Sequence, residues 1–238
     1  MKYTSCEKCK NGIINIFNRK TKSYEQHYCS CYKEYINKKR DFVKLLDTGL
    51  IENEFGYNYL SSIDLNNYQG NEQNKKRLCQ YIHDFDTKFY DKHLFIYGPN
   101  GTQKTTSVKA IAYYLHKLNK KVYYINSKEF FDMFSDFENH EHEIKKFMES
   151  DLLIMDEFCI KKLALFKSSD WKESSCIAPL KQRLEVVRKA TIFISNDTID
   201  DIKNSKLGDL FGDLIDRETI KLKFDDKYIR NINSIWDD

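Results

Sequence analysis

The sequence predicts an α/β domain with a five-stranded parallel sheet and helices on both faces, preceded by a small cysteine-rich module. Five short apolar runs follow residue 92: HLFIY, KVYYIN, DLLIM, ATIFIS and TIKLKF. Longer segments of helical character separate them, at residues 104–118, 127–149, 173–189 and 205–217. Nearly continuous apolar strands that alternate with helices are typical of a parallel sheet covered on both faces. Four cysteines in two close pairs lie ahead of this region.

The composition agrees with a folded chain. Hydrophobic residues make up 41% of the 238 residues and charged residues 32%, with only 2 Pro and 8 Gly, which excludes a collagen-like, linker-dominated or disordered chain. No apolar run reaches the roughly 18 residues that a membrane helix needs, and the first residues lack the apolar stretch of a signal peptide. We therefore expect a soluble cytoplasmic protein with no membrane partner.

Positive charge is concentrated near the N-terminus. Residues 1–50 contain 11 Lys and Arg against 5 Asp and Glu, whereas the remaining residues contain 28 basic and 31 acidic side chains. Such an asymmetry indicates an acidic partner or a nucleic acid, and it is equally compatible with a solvated basic face. Charge alone does not decide between these readings.

The cysteine module is expected at residues 1–33. Its two pairs have the spacing C-x2-C and C-x-C, with 19 residues between the pairs, and the four residues are Cys6, Cys9, Cys29 and Cys31. The segment between the pairs reads as a β-hairpin, because GIINIF and YEQHY flank the polar turn NRKTKS. Four thiolates in an intracellular protein suit tetrahedral Zn²⁺, and a module this small gains stability from a metal.

Two alternatives to a four-cysteine zinc site stay open. The cysteines could be free thiols or a redox pair, and His27 lies close enough in sequence to replace one thiolate. The other cysteines are scattered, and we interpret them as buried or incidental thiols; they are Cys79, Cys159 and Cys176.

The segments that follow the module connect it to the α/β domain. Residues 34–54 predict a basic amphipathic connecting helix or linker, since apolar residues recur near one helical face. Residues 51–75 are rich in Asn and are expected to be mostly irregular, with a helix following at 73–88. We place the α/β domain at residues 55–238.

A phosphate-binding loop follows the first strand of the domain. Strand, glycine-containing turn, lysine, hydroxyl residue and helix come in the order that such a loop requires. Its residues are Gly98, Pro99, Asn100, Gly101, Thr102, Gln103, Lys104, Thr105 and Thr106. Backbone N–H groups and the helix N-terminus would hold the phosphates of ATP. Lys104 would neutralise their charge, and the Thr105 hydroxyl would complete the Mg²⁺ shell.

One loop position departs from the pattern G-x-x-x-x-G-K-[ST]. Gln103 occupies the place of the last glycine. A side chain at this position crowds the approach of the phosphates, so we expect weaker binding or slow hydrolysis. A turn with an accidental Lys-Thr-Thr is the alternative explanation of the whole segment.

Four further residues suit ATP hydrolysis. Asp156 and Glu157 end the strand DLLIM, where Asp156 would hold Mg²⁺ through water and Glu157 would polarise the attacking water. Asn196 ends the strand ATIFIS and would orient that water. Arg217 precedes the last strand and could reach the ATP of a neighbouring subunit. Without the loop, these residues would read as a solvated strand end, a turn-forming Asn and a surface Arg.

The order of these motifs resembles the AAA+ ATPases, and in detail the DnaC/DnaI helicase-loader and IstB group. The matching stretches are LFIYGPNGTQKTT, ESDLLIMDE, PLKQRLEVVRKATIFISN, LIDRETI and KYIR, within residues 55–235. The resemblance implies an AAA+ P-loop domain in which Asn196 is sensor 1 and Arg217 the arginine finger. It further implies that Arg230 reaches the nucleotide, and it leaves Arg183 without an assigned role.

The resemblance also implies a function. An N-terminal C-x-x-C, hairpin and C-x-C segment is similar to that of bacterial and phage DnaC-like loaders, in which this module grips the hexameric replicative helicase. It implies a primosome ATPase with ATP, Mg²⁺ and Zn²⁺ that self-associates and loads the helicase onto single-stranded DNA. The alternatives are an IstB-type transposition ATPase on duplex DNA and a weakly hydrolysing or non-hydrolysing adaptor that captures the helicase. A P-loop kinase would leave Asn196 and Arg217 without a task.

Overall fold

The computed structural model describes residues 3–63, 65, 71–158, 170–204 and 208–225. In the segment 170–204 side chains are described from residue 176 onward, and in the segment 208–225 from residue 211 onward. The chain divides into two compact units, residues 1–59 and 60–238. The three-part division expected from the sequence, at residues 33 and 54, stays a prediction.

The N-terminal unit begins with the expected hairpin. Strands β1 (Ile13–Asn18) and β2 (Ser23–Tyr28) pair antiparallel, and helix α1 (Ser30–Asp47) follows directly. Gly12 precedes the hairpin with a φ of +82°, and a Cβ there would lie 2.6 Å from the ring of Tyr32. Glycine is required at this point for both its backbone conformation and its lack of a side chain.

A helix occupies part of the stretch that was expected to be irregular. Helix α2 spans Glu54–Ser62, so that expectation was wrong for these residues. Tyr57 is buried, its ring packs edge-on against Phe42 at 5.8 Å, and its hydroxyl donates to Asp41. Contacts with residues distant in sequence therefore stabilise a helix whose own periodicity is weak.

The C-terminal unit contains the predicted five-stranded parallel sheet. Its strands are β3 (His93–Tyr97), β4 (Val122–Asn126), β5 (Leu152–Asp156), β6 (Thr191–Ser195) and β7 (Thr219–Lys223). Their order across the sheet is β4-β5-β6-β3-β7, and every pairing is parallel. The α/β fold class and the strand number are confirmed.

Of the α-helices described in this unit, one precedes the first strand of the sheet, and the others lie between its strands. They are α3 (Glu72–His83), α4 (Lys104–Lys117), α5 (Ser127–Ser135), α6 (Glu141–Glu149), α7 (Asp170–Lys181), α8 (Ile199–Lys203) and α9 (Gly208–Glu218). The segment predicted as one helix at 127–149 is two helices, because Asp136 leaves the helical conformation with φ −136° and ψ 68°. The helix predicted at 205–217 corresponds to α9, and a short additional helix, α8, lies before it. Two π-helical segments follow α3 and α7, at Phe85–Phe89 and Gln182–Val187.

Arg183 is fully buried and ties several elements of this unit together. Its Nε donates to the Thr191 hydroxyl, and its other four N–H groups have carbonyl acceptors in Phe147, Met148, Ser150 and Ala190. All five guanidinium donors are thus used. Three of the carbonyls lie at the C-terminus of α6, where the helix dipole favours a cation. The contacts of Arg183 are therefore structural.

Among the described residues, no helix combines the length and the apolar character that crossing a membrane requires.

Candidate nucleotide and metal sites

The phosphate-binding loop starts at a close approach of two backbone segments. Gly98 has a φ of +145°, and a Cβ at this position would lie only 1.8 Å from the carbonyl oxygen of Phe224. The Phe224 amide in turn donates to the Tyr97 carbonyl at 2.8 Å. No side chain fits here, so the end of β7 fixes where the loop leaves β3.

The loop folds around the ammonium group of Lys104. This group donates to the carbonyls of Gly98 at 2.7 Å and Pro99 at 2.8 Å, and the Thr102 hydroxyl also donates to the Pro99 carbonyl. Burial lowers the pKa of Lys104, and the charge of Asp156 opposes that shift. The lysine lies inside the loop, where a phosphate group could replace the carbonyls as its partner.

Gln103 adopts the backbone conformation of the glycine that it replaces. Its φ of 62° and ψ of 18° lie in the left-handed region, directly before α4. This conformation costs a residue with a side chain about 1 kcal/mol. The first turn of α4 nevertheless begins at Lys104, so the N-terminus of a 14-residue helix lies at the loop.

The two predicted magnesium ligands meet at the sheet edge. The Thr105 hydroxyl donates to Oδ2 of Asp156 at 3.0 Å. Hydroxyl and carboxylate oxygens are donors that Mg²⁺ accepts, so the residues present fit this metal. The Tyr124 hydroxyl donates to the same Oδ2, a contact that the sequence analysis missed. Burial and the charge of Asp156 raise the pKa of Tyr124.

Glu157 follows Asp156 in an uncommon backbone conformation, with a φ of 55°. Its amide donates to Oδ1 of Asp156 at 2.7 Å, and its carbonyl accepts a hydrogen bond from the buried Ser127 hydroxyl at 2.8 Å. Left-handed backbone at a non-glycine residue persists where surrounding contacts hold it. Ser127 is a second residue that the sequence analysis missed, because a serine at the start of a helix reads only as a capping residue.

Asn196 lies at the same edge of the sheet. It directly follows β6, and β6 lies between β5 and β3 in the sheet. Because the carboxyl ends of parallel strands lie at one edge, Asn196 is placed between the loop and the Asp156-Glu157 pair. Its side chain is exposed there. Thr106 continues the first turn of α4 beside Thr105.

Arg217 is not brought to this edge. It precedes the first residue of β7, and Thr219 pairs with His93 at the start of β3, so Arg217 lies at the opposite edge of the sheet. Its guanidinium donates to Glu218 at 2.9 Å and also to Glu185. These two contacts raise its pKa, that of Glu218 most. Arg217 therefore lies away from the loop of its own chain. Arg230 lies outside the described residues.

The four module cysteines form a compact cluster. Their sulfur atoms all lie within 4.8 Å of one another, with Cys6 3.7 Å from both Cys9 and Cys29, and Cys9 3.4 Å from Cys31. A tetrahedral zinc site with four Zn–S bonds requires sulfurs about 3.8 Å apart. The spacing fits Zn²⁺ and exceeds the roughly 2.05 Å of a disulfide bond.

His27 is placed elsewhere. Its Nε2 lies 3.5 Å from the Glu25 carboxylate on the exposed hairpin, and it is not part of the four-cysteine group. Of the scattered cysteines, Cys79 is exposed and Cys176 is buried, whereas Cys159 lies outside the described residues.

A family model matches part of the C-terminal unit, and solved structures resemble much of the chain. The model of the bacterial DnaA ATPase domain matches residues 68–170, which include the loop and the Asp156-Glu157 pair. No curated protein sequence gives a significant match. A structure of the DnaC helicase loader is 18% identical at a TM-score of 0.53, covering 70% of this chain and 98% of that one.

Two further structures give the same result. DnaI is 18% identical at a TM-score of 0.53, with 69% of this chain and 86% of that chain covered. AMPPCP-bound DnaA from Aquifex aeolicus is 17% identical at a TM-score of 0.53, with 67% and 49% covered. This chain thus spans about half the length of the DnaA structures that it matches. The resemblance to the AAA+ fold of the DnaC and DnaI group is confirmed.

Proposed function

We propose that this protein is an ATP-dependent loader that places a hexameric replicative DNA helicase on single-stranded DNA. The comparisons support an AAA+ protein of replication initiation, and the loading activity and its partners are our proposal. The nucleotide would be ATP with Mg²⁺, held by residues 98–106 and Asp156. Bound Mg²⁺ would neutralise part of the charge of the phosphates.

The hydrogen bond from Thr105 to Asp156 is the observation that carries the proposal. It joins the first residues of α4 to the end of β5 and creates an oxygen-lined position beside the loop. Hydroxyl and carboxylate oxygens at this position suit Mg²⁺. Glu157 and Asn196, at the same edge, are proposed to activate and orient the attacking water.

The position of Arg217 supports self-association. Because it lies at the sheet edge opposite the loop of its own chain, a role in hydrolysis requires a second copy whose nucleotide it meets. In the single chain its partners are Glu185 and Glu218. Assembly side by side would exchange these carboxylates for the phosphates of the neighbour.

The hairpin of the N-terminal unit supports a protein partner. The register places Phe17 opposite Tyr24 and Ile13 opposite Tyr28, so these four side chains share one face. All four are exposed, Tyr24 to 72% and Tyr28 to 63%. An exposed aromatic face without charges has the composition of a protein interface. We propose that it docks on the helicase while the cysteine cluster, holding Zn²⁺, keeps the hairpin folded.

Binding of DNA tests the proposal without knowledge of the helicase. A solved structure shows the initiator DnaA bound to AMPPCP and single-stranded DNA, and the AAA+ fold is shared. Anisotropy of labelled oligonucleotides would be measured with and without ATP–Mg²⁺. We expect ATP-dependent preference for single strands over duplex. A preference for duplex DNA would contradict the loader and favour a transposition ATPase.

Gln103 supports a second candidate, an adaptor that binds ATP without hydrolysing it and captures the helicase. Its side chain stands where the loop pattern has glycine, and its backbone is left-handed. A Glu157→Gln variant separates the two candidates. If the variant binds ATP but no longer releases phosphate, the result supports the loader. If wild-type protein binds ATP and releases no more phosphate than the variant, the result supports the adaptor.

A further inference from the structure

The Asp156 carboxylate is held by three donors. Oδ2 accepts hydrogen bonds from the hydroxyls of both Thr105 and Tyr124, and Oδ1 accepts one from the amide of Glu157. Thr105 and Glu157 belong to motifs recognisable in the sequence, whereas Tyr124 belongs to none. Its hydroxyl nevertheless donates to the same oxygen of Asp156 as the hydroxyl of Thr105.

Tyr124 reaches this position from the neighbouring strand. It lies on β4, opposite Ile154 of β5, while Asn126 is the residue that pairs with Asp156. The ring therefore leans along the strand toward the sheet edge to bring its hydroxyl to the carboxylate. The ammonium group of Lys109 lies 4.7 Å from the ring centre, on α4. A cation over its face and a carboxylate at its hydroxyl fix the side chain at both ends.

We propose that Tyr124 is a positioning residue for the metal, a role that rests on the proposed ATP–Mg²⁺ site. By donating to Oδ2 it holds the Asp156 carboxylate in one orientation, in which the remaining lone pairs would be available to the metal. Without the phenol, only the Thr105 hydroxyl and the Glu157 amide would hold the carboxylate, and its orientation about χ2 would be less firmly fixed. Rotation would move the oxygen atoms away from the metal and weaken its binding.

The expected size of the effect follows from partners that hold metal ligands in other proteins. Removing such a hydrogen bond weakens metal affinity roughly 10- to 100-fold. Nucleotide binding without metal would depend on the loop and Lys104, whereas the hydrogen bond of Tyr124 goes to Asp156. The metal requirement should therefore change while metal-free binding does not.

The test uses the full chain with the substitution Tyr124→Phe, which keeps the ring and removes the hydroxyl. Binding of a fluorescent ATP analogue would be followed while Mg²⁺ is titrated, and again in EDTA. We expect the Mg²⁺ concentration that gives half of the metal-dependent binding to rise roughly tenfold. In EDTA, the affinity for the analogue and the melting temperature should be unchanged. Tyr113→Phe on α4 is the matched control, since that ring also lies near a lysine, Lys117, at 5.0 Å.

Two results would overturn the inference. An unchanged Mg²⁺ requirement in Tyr124→Phe would show that Asp156 needs no help from the phenol. If Tyr124→Phe lost stability and metal-free nucleotide binding but kept the wild-type Mg²⁺ midpoint, Tyr124 would contribute to packing alone. If wild-type protein binds the analogue with no dependence on Mg²⁺, the proposed ATP–Mg²⁺ site itself is wrong, and this outcome is distinguishable from the other two.

Discussion

The hydroxyl of Thr105 lies 3.0 Å from Oδ2 of Asp156, although 51 residues separate the two in the chain. The contact results from the order of the strands. β3 leads into the helix that carries Thr105, β5 ends in Asp156, and only β6 lies between these strands. The fold thereby brings a hydroxyl and a carboxylate together beside a lysine-containing loop, which is the arrangement that a metal–nucleotide site needs.

Replacing Gln103 with glycine should strengthen nucleotide binding. The substitution removes the side chain at the phosphate approach, whereas relief of the left-handed strain, about 1 kcal/mol, would raise the stability of the folded chain rather than the affinity. We expect the Kd for ATP–Mg²⁺, measured by isothermal titration calorimetry, to fall several-fold. Asn100→Gly is the control, because Asn100 has no positive φ. A Kd unchanged or raised in Gln103→Gly would show that the glutamine does not obstruct the loop.

Replacing Arg217 with alanine should abolish hydrolysis that depends on assembly and leave ATP binding intact. The reason is its position at the sheet edge opposite the loop of its own chain. Phosphate release would be measured across a range of protein concentrations. Wild-type activity per molecule should rise with concentration, whereas that of the variant should stay flat. Arg188→Ala, an exposed arginine outside this helix, serves as control. Equal activity of Arg217→Ala and wild type at high concentration would refute the arginine-finger role.

Replacing Arg183 with lysine should destabilise the C-terminal unit. Lysine has three donors in place of five, so at least two buried acceptors lose their partner, at about 1–3 kcal/mol each. We expect urea unfolding to show a loss of at least about 2 kcal/mol. The exposed Arg188→Lys should cost little, because its ion pair with Asp91 lies at 3.8 Å on the surface. Equal stability of the two variants would contradict the structural role.

Removal of zinc should unfold the hairpin of the N-terminal unit selectively. Its hairpin buries little apolar surface, so the four sulfur–metal bonds would supply most of its stability. In Cys9→Ser, a colorimetric assay should detect loss of zinc, and the far-ultraviolet circular dichroism signal should fall because the hairpin unfolds. ATP binding should persist. The exposed Cys79→Ser is the control and should retain zinc. Full zinc content in Cys9→Ser would exclude the four-cysteine site.

Much of the core of this fold follows from local patterns. The five strands are apolar runs that a parallel sheet buries on both faces, and each was found where the sequence predicts it. The loop was recognisable because its chemistry needs adjacent residues. The cysteine cluster was recognisable for a related reason, since two short pairs need only a hairpin to bring them together.

The remaining features depend on contacts between distant residues. Helix α2 escaped prediction because Tyr57 is stabilised by Phe42 and Asp41 rather than by its own neighbours. Tyr124 reads as an ordinary strand residue until β4 is placed beside β5. The role of Arg183 appears only when the C-terminus of α6 and the start of β6 meet around it. Sequence periodicity contains none of these relationships.

The most direct test of a metal–nucleotide site at Thr105 and Asp156 is calorimetric titration of ATP into the full chain with and without Mg²⁺. Asp156→Asn would be compared with wild type and with Asp213→Asn, an exposed carboxylate on α9. The account predicts Mg²⁺-dependent binding in wild type and Asp213→Asn, and loss of that dependence in Asp156→Asn. Binding that ignores Mg²⁺ in all three proteins, or no binding in wild type, would contradict it.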